Sequence, residues 1–244
     1  MKPAGKERLD VLLVGRGLAE SRERARALVL AGHVLVDGQR AEKPGHTVPL
    51  ECRLELVAKL PYVSRAGKKL EAALDAFQVQ VRDRICMDVG ASTGGFTDCL
   101  LQHGARRVYA VDVGSGQLDW KLRNDPRVVA REGMNARYLR MEDIGELVDL
   151  AVCDVSFISL TLILPPVVAL LRPEGEMVVL VKPQFEVGRG QVGKGGIVRD
   201  PALHEATCAK VREAVLGLGY TASLMESPVP GAEGNKEFLL YARH

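Results

Sequence analysis

The sequence predicts an α/β fold. A doubly wound, mostly parallel sheet is expected over residues 66–244, after a small α+β domain over residues 1–60 and a linker at 61–65. Three observations carry that prediction. From Ile85 onward, apolar runs of strand length alternate with helical patterns. A glycine-rich stretch, Asp88 to Thr97, lies between the first of those strands and the helix after it. Charge is also uneven, with 12 Lys/Arg against 8 Asp/Glu in residues 1–65 and 21 against 23 in the remainder. The positive excess at the N-terminus points to an anionic partner for the first domain.

The bulk composition is that of an ordinary soluble protein, 47% hydrophobic and 26% charged. No apolar run approaches the roughly 20 residues of a membrane span, and Met1-Lys2-Pro3-Ala4-Gly5-Lys6-Glu7 lacks a signal-peptide core. Cys52, Cys86, Cys99, Cys153 and Cys208 are scattered and form no Cys-x-x-Cys pair, so they read as reduced, buried thiols of a cytoplasmic protein. The five histidines are equally dispersed, and no metal site is expected.

In the first domain, Leu9, Leu12 and Leu13 repeat at helical spacing and stop at Gly15-Arg16-Gly17. Ser21 stands where an N-cap would, before a helix from Arg22 that Gly32 ends. Arg22 and Arg26, four residues apart, share a face of that helix. Val34, Leu35 and Val36 then lead into an Asp37-Gly38 hairpin turn, and a strand is expected at 53–57. The pattern Arg8-Leu9-Asp10, Ser21-Arg22-x-x-Ala25, Gly32-x-Val34-x-Val36-Asp37-Gly38 resembles the small RNA-binding domain named after ribosomal protein S-four. The resemblance implies that Arg8, Arg16, Arg22, Arg26 and Lys43 face structured RNA. With no aromatic platform in this stretch, phosphate and shape recognition is favoured.

Proline marks the boundary at Leu60-Pro61-Tyr62-Val63-Ser64-Arg65, where Arg65 is a further RNA-binding candidate. The spacing predicts a helix from Ala66 to Phe77, with Ala66, Leu70, Ala73, Leu74 and Phe77 on one apolar face. Lys69 lies beside that face and Lys68 nearly opposite it, so only Lys69 can be drawn toward a cleft.

Strands follow at 85–89, 107–111, 128–132, 150–155 and 176–181, with helices at about 95–103, 118–123, 158–171 and 201–218 between and after them. Two last strands, about 220–226 and 237–242, close the chain. Ligands of such sheets bind beyond the carboxyl ends of the strands. That rule gathers the Asp88–Gly95 turn, Asp112, Asn135, Asp154 and Lys182 on one rim. The turn reads Gly90-x-x-x-Gly94-Gly95, which is neither the dinucleotide fingerprint nor a Walker loop. With Asp88 before it, the turn resembles the cofactor loop of S-adenosylmethionine-dependent methyltransferases.

The cofactor-binding candidates are Asp88, Gly90, Ala91, Ser92, Gly94, Gly95 and Phe96, joined by Asp112 and Val113, Asn135 and Ala136, and Asp154. Asp112 either accepts from the ribose hydroxyls of a nucleoside or caps a helix; Asn135 either reads an adenine edge or serves a turn. The basic, glycine-rich run from Arg189 to Arg199, which includes Lys194, is either an RNA-ordered loop or a flexible surface segment.

Asp154-Val155-Ser156-Phe157-Ile158-Ser159, Lys182-Pro183-Gln184-Phe185-Glu186, Gly234-Asn235-Lys236-Glu237-Phe238-Leu239 and Ser64-Arg65-x-x-x-Lys69-Leu70 are similar to the motifs of the TlyA family. Its members join an S-four-like domain to a methyltransferase domain of the FtsJ type, a Rossmann-like class I fold. The resemblance covers nearly the whole chain. It implies S-adenosylmethionine-dependent 2′-O-methylation of ribosomal RNA, usually at cytidine, with ribosomal RNA or subunits as partner. It also implies a catalytic tetrad of Lys69, Asp154, Lys182 and Glu237. Relatives often carry a histidine next to the key lysine; here Gly67-Lys68 precedes it, and the helical phase selects Lys69.

A sulfonium-borne methyl group is already activated, so no metal is required; the enzyme has to align oxygen, carbon and sulfur and relieve the oxygen of its proton. Lys182 is the expected base or the cation that stabilises the oxygen. A free lysine titrates near about 10.4, so the base role needs burial or a neighbouring like charge such as Lys69. Two rivals are an RNA-binding assembly factor with an inactive methyltransferase fold and a membrane-active hemolysin, a name some family members carry. The complete tetrad opposes the first, and the lack of a span or signal peptide opposes the second.

Overall fold

The computed structural model describes residues 5–30, 33–41, 43–56, 61–231 and 234–244, and only the backbone of Arg40 and Arg189. The expected helix end at Gly32 and the last residue of the 53–57 strand lie outside these. The chain divides into two compact units, Met1–Leu60 and Pro61–His244.

In the first unit, β1 (Lys6–Arg8) leads directly into α1 (Leu9–Gly15), and α2 runs from Arg22 to Leu30. The Ser21 hydroxyl accepts from Arg24 N at 3.1 Å, the cap its sequence position predicts. β2 (Val34–Val36) and β3 (Gln39–Arg40) form the expected hairpin; Asp37 and Gly38 both take positive φ, 50° and 81°. β5 (Leu54–Leu56) pairs with the other side of β2. The sequence does not announce β1 or its antiparallel partner β4 (Thr47–Pro49). Each is three residues long with only its central residue turned inward, too short for an alternation to register. Leu9, Leu13, Ala25, Val29, Val34 and Val48 fill the core between them.

In the second unit, α3 (Ala66–Phe77) precedes β6 (Ile85–Val89), α4 (Gly95–Gln102), β7 (Arg107–Val111), α5 (Trp120–Arg123) and β8 (Val128–Arg131). α6 (Met141–Ile144), β9 (Val148–Cys153), α7 (Leu160–Val168), β10 (Leu171–Val181), α8 (Pro183–Glu186), α9 (Pro201–Gly217), β11 (Thr221–Glu226) and β12 (Phe238–Arg243) follow. The seven strands lie in the order β8-β7-β6-β9-β10-β12-β11. All neighbours are parallel except β12, which runs antiparallel to both β10 and β11. Alternate side chains of each central strand feed two cores. Met87, Val89 and Val179 join α7 and α9 on one face, and Cys86, Val152 and Leu180 join α3 and α4 on the other.

Several boundaries differ from expectation. β10 starts at Leu171, five residues early, with an irregular register between Leu171 and Glu176. That strand start takes the end of the helix expected over 158–171, and Pro165 and Pro166 inside α7 remove two of its hydrogen bonds. β9 spans Val148–Cys153, so Val155 lies in the turn beyond it. Residues 61–65 are bonded into the second unit: Tyr62 is buried and donates to Glu71 at 2.7 Å, Val63 N donates to Asp98 at 2.8 Å, and Gln102 donates to the Pro61 carbonyl. Among the described residues no helix is long and apolar enough to cross a membrane, and all five cysteines are buried free thiols.

At the carboxyl end of β6, Gly90 takes φ 85°, and a Cβ there would overlap the Asp154 carbonyl. Gly116 has a similar φ, 73°, with nothing within 4 Å of a Cβ. Gly116→Ala is therefore expected to cost only the left-handed backbone penalty, about 1–2 kcal/mol, and Gly90→Ala at least about 2 kcal/mol more, because a backbone carbonyl cannot rotate away. Urea unfolding of the two variants measures the difference.

Candidate active site

The three glycines of the turn answer to three different neighbours. Gly90 faces the Asp154 carbonyl; Gly94, at φ 94°, faces Leu118 and Leu122; Gly95, the first residue of α4, faces Ser64 and Ala66. The turn is hung from β7, because Gly90 N and Ala91 N both donate to the Val111 carbonyl at 2.8 and 3.1 Å. Asp112 closes it from the side. One carboxylate oxygen accepts from Ser92 N and the other from Gly114 N, both at 2.7 Å. Each oxygen keeps a lone pair, and Asp112 lines the cleft that opens here.

That cleft has a volume of about 510 Å³. Of the cofactor-binding candidates, Gly90, Ser92, Asp112, Val113, Asn135, Ala136 and Asp154 line it. A smaller pocket of about 190 Å³ adjoins it, sharing Gly90, Ser92, Asp154 and Ser156, and takes in Ala91, Gly95, Phe96 and Lys182. Asp88 and Gly94 line neither. Asn135 is exposed, and its side-chain oxygen accepts from Arg137 N at 3.0 Å, capping the 3₁₀ turn Ala136–Tyr138. The apolar walls Val111, Val113, Met134 and Ile158, together with the Asp112 and Asp154 carboxylates, fit a cationic nucleoside.

The four tetrad candidates form two ion pairs, one between the ends of β9 and β10 and one between α3 and the start of β12. Lys182 Nζ lies 2.5 Å from Asp154 Oδ1, and it donates to the Ser156 hydroxyl at 3.1 Å. The contact with Asp154 is an ion pair, with both side chains largely withdrawn from solvent. Lys69 Nζ lies 2.5 Å from Glu237 Oε2, and both residues are buried. Val181 pairs with Phe238 across β10 and β12, so Lys182 and Glu237 are the next residues of their two strands. Lys182 therefore stands between the β9 and β12 carboxylates. Lys182 and Asp154 line the smaller pocket; Lys69 and Glu237 line neither. Lys68 is exposed, as the helical phase predicts.

Sequence reasoning missed Phe157. It is 90% exposed and takes φ 65°, a conformation that a bulky side chain adopts only when its surroundings impose it. Its ring lies 4.9 Å from that of Phe185, and Lys182 Nζ lies 5.9 Å from the Phe185 ring centroid. The sequence places Phe157 in the connection between the 150–155 strand and the 158–171 helix, with nothing to show which way its ring points. Glu186, inside a quoted motif but given no role, is buried and bonded to the turn that carries Phe157.

The RNA-binding candidates divide by partner. The fully buried Asp10 carboxylate accepts from Arg8 Nε and Nη2 at 3.0 and 2.9 Å and from Arg22 at 3.2 Å. The Arg8 guanidinium holds its carboxyl down at about 2, against the cost of burial. Both arginine side chains remain more than half exposed. Arg16 donates to the Leu50 and Cys52 carbonyls. Arg26, Lys43, Arg65 and Lys194 are exposed, and the Arg189 side chain lies outside the described residues. The far end of the 189–199 run is tied down, with Val198 N donating to Asn235 and the Val198 carbonyl bonded to buried His204.

Residues 62–244 match the family described as FtsJ-like methyltransferase, and residues 7–51 match the S4 domain. The chain belongs to the FtsJ-like methyltransferase family. It is 49% identical to the 16S/23S rRNA (cytidine-2′-O)-methyltransferase TlyA of Mycobacterium tuberculosis, over 98% of this chain and 91% of that one. It is 45% identical to Hemolysin A of Brachyspira hyodysenteriae, over 96% of this chain and 98% of that one. A solved structure described as a hemolysin from Streptococcus thermophilus superposes with a TM-score of 0.76 at 48% identity, covering 98% of this chain and 89% of the other.

Beneath the glycine turn, Asp88 is fully buried and accepts from the Thr97 hydroxyl at 2.6 Å, with its other oxygen unpartnered. Burial, opposed by the Thr97 bond and reinforced by the Asp154 and Asp112 charges, raises its carboxyl to about 7. The folded protein then holds a proton that the unfolded chain releases near pH 4. Stability contributed by the protonated form is present at low pH and lost as pH rises toward about 7. Asp88→Asn is expected to flatten this decline in melting temperature between about pH 4 and 7, read by differential scanning calorimetry.

Proposed function

We propose that this chain transfers the methyl group of S-adenosylmethionine to a ribose 2′-hydroxyl of ribosomal RNA, with cytidine as the nucleoside. The observation that carries this reading is the Lys182–Asp154 pair at the junction of a nucleoside-sized cleft and a second pocket. The TlyA relative, named for this activity and matched over both domains, supports it. When bound, S-adenosylmethionine supplies an electrophilic methyl on a sulfonium. Asp112 would hold the cofactor's ribose, and Asn135 and Ala136 would flank its base.

Lys182 would receive the 2′-oxygen. It either takes the proton or, as an ammonium, donates to the oxygen while the hydroxyl proton passes to solvent water; Asp154 and Ser156 fix its Nζ for either role. Lys69 and Glu237, buried as a pair and lining neither pocket, would act on Lys182 through packing and charge rather than by touching the reacting oxygen. The outward Phe157 ring, standing over Phe185, offers a stacking surface to the base of the target nucleotide. Arg8, Arg22, Arg26 and Lys43 of the S4 domain would bind phosphates of folded RNA.

Lys182→Ala is expected to retain cofactor affinity by calorimetry and to lose about 10²–10⁴-fold in transfer of tritiated methyl to ribosomal subunits. Wild-type turnover by that variant would refute the role given to Lys182. Phe157→Ala is expected to weaken RNA use by about 5- to 100-fold, the worth of one base stack, with cofactor affinity unchanged.

A further inference from the structure

Two turns meet at the candidate centre. The first, Asp154 to Ser159, follows β9 and carries Asp154, Ser156 and Phe157. The second, Lys182 to Glu186, follows β10 and carries Lys182 and Phe185. Asp154 N, donating to the Val89 carbonyl at 2.9 Å, fixes the start of the first turn. Its end is fixed by Glu186 from the other turn. One Glu186 oxygen accepts from Leu160 N at 2.6 Å, and the other accepts from the Ser159 hydroxyl at 2.6 Å. These donors are the N-cap side chain and first amide of α7, so the carboxylate also meets the positive end of that helix. Lys210 of α9 donates at 3.1 Å to both the Glu186 carboxylate and its backbone carbonyl. The Glu186 side chain is 2% exposed. Buried this deeply, a carboxylate requires such a set of donors.

Phe157 lies between the two fixed ends. A phenylalanine at φ 65° with its ring in solvent relaxes unless both ends of its turn are held. The Phe185 ring, one residue before Glu186, supports it from below. We propose that Glu186 is a positioning residue that braces the Asp154–Ser159 turn against the Lys182 turn and so holds the Phe157 ring outward for the target base. This rests on the methyl-transfer reading above.

A double-mutant cycle tests it on the full chain. Glu186→Ala, Glu186→Gln, Phe157→Ala and the Glu186→Ala/Phe157→Ala pair are compared in kcat and KM for ribosomal-subunit methylation, with cofactor affinity measured separately. Glu186→Ala is expected to raise the RNA KM at least 5-fold while cofactor affinity stays within 2-fold. The pair is expected to be no worse than 2-fold below the poorer single variant, because the two residues act through one ring. Glu186→Gln keeps an acceptor oxygen and is expected to recover part of the loss. It also serves as the reference should Glu186→Ala fail to fold.

Multiplicative losses in the pair, or Glu186→Gln and Glu186→Ala both matching wild type, would overturn the proposal. A wild-type chain that binds cofactor and transfers no methyl overturns the methyl-transfer reading instead.

Discussion

The site depends on how closely two parallel strands approach at the point where the sheet changes direction. From β6, the chain builds outward to β7 and β8 on one side, and β9, β10 and β12 build on the other. The connections leaving β6 and β9 diverge, and a crevice opens between them. At its floor Asp154 N bonds to the Val89 carbonyl, and the hydrogen of Gly90 faces the Asp154 carbonyl where any side chain would collide. That contact places the glycine turn and the Asp154 carboxylate in the same crevice. A glycine at position 90 thus matters first to strand packing and only then to ligand approach.

The charges around that floor alternate in sign: Asp154 and Lys182 just past the ends of β9 and β10, Glu237 just before β12, and Lys69 on α3. Single charges in such a place would be expensive to desolvate, and pairs are far less so. Pairing also fixes direction. Held by Asp154 and Ser156, the Lys182 amine lines the smaller pocket. The inner pair, Lys69 and Glu237, is buried, lines neither cavity and ties α3 to the start of β12.

Much of this was legible in the sequence where a period or a rule of topology applies. The 100° step of a helix separates Lys69 from Lys68, and the carboxyl-end rule collects Asp112, Asn135, Asp154 and Lys182 from four strands. What escaped has no period. β1 and β4 are three residues long, α8 is a single turn, and Phe157 sits in the connection between a strand and a helix. Arginine counts mislead in a related way. Arg8 and Arg22 look like interchangeable surface charges in the sequence, yet a buried Asp10 binds both, and Arg16 is spent on two carbonyls. Only the fold reveals a partner 12 or 36 residues away.

Asp10 and Glu186 show one device used twice, in separate units. Each is a carboxylate withdrawn from solvent, with its cost offset by several donors, and each leaves a neighbouring group exposed in a fixed attitude. At Asp10 the groups held are two guanidinium forks; at Glu186 it is the turn bearing an aromatic ring. RNA offers charge and flat bases, both of which loose side chains can reach at an entropic cost of up to about 2 kcal/mol each. Anchoring from beneath removes part of that cost before the ligand arrives. It also explains why an aromatic side chain stays in solvent, in a backbone conformation it would not choose: its turn is closed at both ends, so the ring has nowhere inward to go.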